Sequence, residues 1–66
     1  MLLGQILLTD SDFEDAILND IEVKVTQDGM HLGSGRVVSY GLHTVKLTSS
    51  YFFKDGCEFT VISMFH

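Results

Sequence analysis

Two stretches near the middle and end of the chain constrain its fold most. They are GRVVSYGLHTVKL, from Gly35 to Leu47, and YFFKDGCEFTVI, from Tyr51 to Ile62. Both are apolar, strand-like runs, with Val45 and Leu47 on one face of the first and a short aromatic strand opening the second. Both are also cut by glycines. Glycine inside a strand weakens it and marks a sharp bend or a close backbone approach, and a small sheet curls into a barrel only at such bends. The two runs therefore predict a small, strongly bent β-barrel.

A strand period of about two runs upstream. Ile21, Val23 and Val25 alternate with Glu22, Lys24 and Thr26. Asp28-Gly29 follows as a hairpin turn, since both residues tolerate positive φ. Met30 to Ser39 resumes as a strand interrupted by Gly33 and Gly35, and Gly41 stands in the next turn. Leu42 to Thr48 forms a third strand, with Val45 and Leu47 on one face. Tyr51 to Lys54 makes a short aromatic strand, Asp55-Gly56 a second turn pair, and Cys57 to Met64 a last strand. Before the strands, Ser11 and Glu14 have capping-box spacing, and Phe13, Ala16 and Ile17 share one helical face. A short helix is expected from Asp12 to Asn19, with Ser11 as its cap. Residues 2–9 read as an apolar strand or extended arm. The expected fold is mainly β, one domain over 1–66: a short N-terminal helix and five bent antiparallel strands in an open barrel over 21–64.

Size sharpens the expectation. A chain of 66 residues buries only about 60% of the surface its unfolded form exposes and is marginal alone. Such chains gain stability from disulfides, metals or partner subunits. A single cysteine, Cys57, forms no intrachain disulfide, and the histidines show no paired or Cys-x-x-Cys spacing that would hold a metal. No cofactor is expected, and association is left as the stabiliser. No spacing of Ser, Cys, His, Asp or Glu suggests an activated nucleophile or an acid–base pair, so no catalytic residue is expected. The apolar start MLLGQILLT is too short to span a bilayer and carries no basic leader. With one free thiol, this points to a cytoplasmic protein without a membrane partner. Nine acidic residues against four basic ones set a formal charge of −5. That balance weighs against nucleic-acid binding, where Lys and Arg neutralise phosphate, although a single face can still be basic. Lys24, Arg36 and Lys46 would make a modest basic patch if they shared a face.

The segment IEVKVTQDGMHLGSGRVVSYGLHTVKL, followed by FFKDGCEFTVI, resembles the Sm/LSm/Hfq-like superfamily. Its first motif runs from an apolar strand through an Asp-Gly turn to a Gly-x-Φ-x-x-Φ pattern. Asp28 and Gly29 fall at that turn, Gly35 at the family glycine, and Val37 and Tyr40 at the apolar and aromatic positions. Lys54 and Gly56 stand near the basic and glycine positions of the second motif. Two positions depart from the pattern: Gly41 stands where the family has Asp, and His43 or Thr44 where it has Asn.

The resemblance implies a ring of about five to seven copies, closed by heterologous strand-edge contacts. The fourth strand of one copy would pair with the fifth of the next, making Tyr51, Phe52, Phe53, Phe59, Val61 and Ile62 subunit-interface residues. It also implies a single-stranded RNA (or DNA) site on two loops, built from Ser39, Tyr40, Gly41, Leu42 and His43 together with Lys54, Asp55 and Gly56. There His43 would stack on a base and Lys54 contact phosphate. An alternative built on the same barrel is a protein-interaction or assembly ring without nucleic acid; the charge and the two departures favour it, while the motif order, His43 and Lys54 favour the nucleic-acid ring. A monomeric SH3-like barrel has a similar meander.

Overall fold

A computed structural model describes residues 1–64. It has one helix, α1 (Asp10–Leu18), followed by β1 (Ile21–Gln27), β2 (Met30–Tyr40), β3 (Thr44–Leu47), β4 (Tyr51–Phe53) and β5 (Glu58–Met64). The strands form one antiparallel sheet in the order β4-β3-β2-β1-β5. The sheet is strongly bent but not closed, because β4 and β5 do not pair.

The long strand β2 carries the bend. Its first part, Met30 to Arg36, pairs with β1, and its second part, Val37 to Tyr40, pairs with β3. Register shifts at Val25/Thr26 and at Val37/Ser39 add twist. The glycines lie where other segments cross β2. A Cβ built on Gly33 would sit 2.9 Å from Phe52 Cζ, and one on Gly35 would sit 2.7 Å from Thr48 Oγ1. The β3–β4 turn is bound there: Thr48 N–H donates to Arg36 C=O at 3.0 Å, and Ser49 Oγ donates to Ser34 C=O at 2.9 Å. In the β1–β2 turn both Asp28 (φ 50) and Gly29 (φ 79) are left-handed, whereas in the β4–β5 turn only Gly56 (φ 83) is.

Strand alternation sets the core. Ile21, Val23, Val25, Val37, Val45, Leu47, Phe59 and Val61 are buried on the inner face, with Phe13 and Ala16 of α1 laid over them. Phe13 meets Phe59 edge-on, with ring centroids 5.4 Å apart. Residue Leu7 also joins this core. Its N–H donates to Phe59 C=O at 2.9 Å, while Gly4 N–H donates to Val61 C=O (2.8 Å) and Val61 N–H to Gln5 C=O (2.9 Å). The arm is thus a short outer strand lying against β5, centred on an Ile6–Thr60 bridge.

The helix begins at Asp10, earlier than its sequence suggests, and Ser11 is not its cap. Thr9 is the cap: its Oγ1 accepts from Asp12 N–H at 3.1 Å, and the Asp12 carboxylate accepts from Leu8 N–H (2.9 Å) and Thr9 N–H (3.1 Å). Anchoring Leu7 in the core fixes where the chain leaves β5, which puts Thr9 rather than Ser11 at the helix entrance. Thr9→Ala is therefore expected to cost about 1 kcal/mol, read as a lower midpoint in urea, while Ser11→Ala leaves the midpoint unchanged.

The amides of Leu8 and then Thr9 hold the Asp12 carboxyl below its usual range. With the folded-state pKa below the unfolded one, this stabilisation is complete above the ordinary aspartate pKa. It is lost as pH falls through the depressed value. Asp12→Asn is expected to flatten that part of the acid-denaturation curve.

Candidate functional site

The two loops named by the resemblance do meet. The β2–β3 turn is closed by Gly41 N–H donating to Thr44 C=O at 2.8 Å, and Lys54 N–H, at the end of β4, donates to His43 C=O at 2.8 Å. Their side chains then separate to opposite sides of this junction.

On one side, Lys54 turns under the sheet toward the helix. Its Nζ lies 2.8 Å from Asp10 Oδ1, 5.4 Å from the Phe13 ring centroid and 5.3 Å from that of Tyr40. Its side chain is only 19% exposed. Tyr40 is half-buried and lies 6.2 Å from Phe13, centroid to centroid. Ring faces attract a nearby ammonium, so Lys54, Tyr40, Phe13 and Asp10 form one cluster that ties the helix start to the loops. Lys54 and Tyr40 were expected to face a nucleic acid; here they face each other and the helix. Lys54→Met retains the stem and removes the charge. It is expected to cost about 1 kcal/mol, measured by thermal or urea denaturation, with no effect on oligonucleotide affinity.

On the other side is a groove of about 580 Å³. His43 and Asp55 stand at it together with all three β4 aromatics, Tyr51, Phe52 and Phe53. Its far wall is Gln27, Leu32 and the half-buried free thiol Cys57. Among the described residues no lysine or arginine lines it. Ser39, Gly41 and Leu42 are exposed, Leu42 at 83%, and do not line it. Gly56 is an exposed turn residue, where a Cβ would lie 3.1 Å from Gln27 Nε2.

The remaining cations do not add to this groove. Lys24, Arg36 and Lys46 do share the outer face, since their neighbours Val23, Val25, Val37, Val45 and Leu47 point inward. Arg36, however, stands opposite Glu22 and 4.0 Å from Asp20, and Lys46 lies over the Tyr51 ring at 5.5 Å. No group of three or more His, Cys, Asp or Glu side chains is placed to hold a metal among the described residues. None of the described helices is long and apolar enough to cross a membrane.

The residues expected at a subunit interface divide as well. Tyr51 and Phe53 are 65% and 69% exposed on the β4 edge, and Ile62 is 41% exposed on β5. Phe52 is half-buried against Gly33. Phe59 and Val61 are core residues, each 1% exposed, so their side chains are closed to a neighbour. The backbone of β5 is also engaged, because the arm takes its outward groups at Phe59 and Val61. Gln27, Leu32 and Cys57 were not among the sequence-derived candidates. The β1–β2 hairpin and the start of β5 bring them to β4, and no local pattern marks them.

Protein-family models, curated proteins and solved structures were compared with the chain, and none matches it.

Proposed function

We propose that this chain is a protein-interaction or assembly module built on an Sm-like barrel, with its working surface at the β4 edge and the adjoining aromatic groove. The observation that carries this reading is the split at the loop junction. The one lysine of the two loops is held by Asp10, Phe13 and Tyr40, and what faces outward is aromatic and apolar with a single acid, Asp55. Exposed Tyr and Phe beside a concave apolar surface suit a protein partner. An overall charge of −5 disfavours a phosphate backbone. The strand order β4-β3-β2-β1-β5 after a short helix agrees with the Sm-like resemblance. A cytoplasmic setting goes with it, since the free thiol of Cys57 stays reduced there.

Single-stranded RNA is the second reading. It is favoured by the direct contact of the two loops and by His43 standing beside exposed aromatic rings, a surface on which bases stack. Fluorescence anisotropy with uridine-rich and adenine-rich oligonucleotides, over a range of salt, separates the two. The assembly reading expects binding no tighter than the non-specific range of about 10⁻⁴–10⁻⁶ M. Tighter binding that weakens steeply with salt would transfer the site to nucleic acid.

A further inference from the structure

The two edges of the sheet are not equivalent. On the β5 side, the arm fills the outward C=O of Phe59 and both outward groups of Val61. The arm itself turns only Ile6 N–H and C=O away from β5, because Ile6–Thr60 is the bridge between the flanking hydrogen bonds. A single residue makes no edge for a further strand. On the β4 side the edge is open among the described residues. Leu47 N–H donates to Ser50 C=O and Lys54 N–H to His43 C=O, around the pairs Lys46–Tyr51, Val45–Phe52 and Thr44–Phe53. Hydrogen-bonded pairs alternate in an antiparallel ladder, so Phe52 bonds to β3. The N–H and C=O of both Tyr51 and Phe53 point outward. Of these, Tyr51 C=O has a long 3.5 Å approach from Ser50 Oγ.

We infer that β4 pairs with β4 of a second copy, antiparallel about a two-fold axis at Phe52, to give a dimer rather than a ring. This rests on the assembly reading and names its partner. The outward groups are self-complementary: Tyr51 of one copy opposes Phe53 of the other, twice, and each such pair exchanges two backbone hydrogen bonds. Their rings then meet as cross-strand aromatic pairs on the outer face. A strand of three residues leaves room for these four hydrogen bonds and no more.

Two further observations select a second copy as the occupant. The arm occupies the β5 edge from Phe59 to Val61, part of the edge that a head-to-tail ring would use. Charge does not oppose the contact. Of the nine acids, Asp10, Asp12, Glu14, Asp15 and Asp20 lie on the helix or just after it, and Asp10 is paired with Lys54. The β4 edge itself is flanked by Lys46, Lys54 and Asp55.

The test is light scattering of the full chain over a dilution series, alongside Phe53→Lys and Ile62→Lys, with an oligonucleotide titration of the wild type. Both substituted side chains are exposed, and circular dichroism checks that both variants fold. The expected result is twice the chain mass for wild type and Ile62→Lys, with the dimer weakened at least about tenfold in Phe53→Lys. A mass of five or more chains, or a loss of association in Ile62→Lys, would overturn the two-fold contact and leave the assembly reading standing. A monomer at every concentration overturns the dimer. If that monomer also binds oligonucleotide in a salt-sensitive way, the assembly reading falls with it.

Discussion

Phe59→Ala is expected to lower stability by about 3–5 kcal/mol, enough to leave much of the chain unfolded. Phe59 is 1% exposed and is among the largest fully buried side chains of the core. It stands opposite Val25 of β1, its carbonyl accepts from Leu7 of the arm, and its ring receives Phe13 of the helix edge-on. Sheet, arm and helix therefore converge on one side chain. Truncation opens a cavity in the core and removes an aromatic pair worth about 0.5–1.5 kcal/mol beyond its area. A chain of this length has a total stability of only about 3–10 kcal/mol at the usual value per residue. Urea denaturation followed by far-UV circular dichroism reads the effect. A shift equivalent to less than about 1 kcal/mol would mean that the helix and arm do not pack on Phe59 as described.

Gly35→Ala should cost about 1–3 kcal/mol, although it adds a single methyl group. The new Cβ would lie 2.7 Å from Thr48 Oγ1 and 3.5 Å from both Leu47 Cβ and Ser49 Oγ. Thr48 cannot simply move aside. Its N–H donates to Arg36 C=O at 3.0 Å and its Oγ1 accepts from Arg36 N–H at 3.3 Å, so both its groups are tied to the residue after the glycine. Thr48→Ala on the Gly35→Ala background removes the nearest clash. The double variant is then expected to be more stable than the sum of the single losses, a coupling that a double-mutant cycle measures. Additive losses would mean that the crossing is looser than 2.7 Å implies. Gly33→Ala makes a useful contrast. Its Cβ would approach the far end of the Phe52 ring at 2.9 Å, which can swing away. That substitution is expected to be milder for stability and to act instead on the groove and the β4 edge.

Much of this architecture is legible in local pattern. Ile21, Val23 and Val25 alternate with polar neighbours and are all buried; Val45 and Leu47 share an inner face; Phe13 and Ala16 face the core from the helix. The helix start was the weak point, because Thr9/Asp12 and Ser11/Glu14 are two overlapping capping patterns two residues apart. The choice between them lay with Leu7, whose place in the core no local pattern announces. The candidate site was less legible than the fold. His43, Tyr51, Phe52, Phe53 and Asp55 reach one groove, but Lys54 and Tyr40 turn away from it. The partner of Lys54 is Asp10, 44 residues distant in the chain, and a sequence window sees only a charged turn.

The sequence by itself determined the number and order of the five strands, the buried face of the first and third, and the positions of the turns. Those properties follow from side-chain period and from the φ that glycine and aspartate accept, and both act over a few residues. Only the tertiary structure decided which sheet edge is open, where the loop lysine points, and what the aromatics of β4 face. Each depends on segments far apart in the chain being brought together. The arm meets β5 across more than fifty residues of chain, and Asp10 meets Lys54 beside the same Phe13 that packs on Phe59.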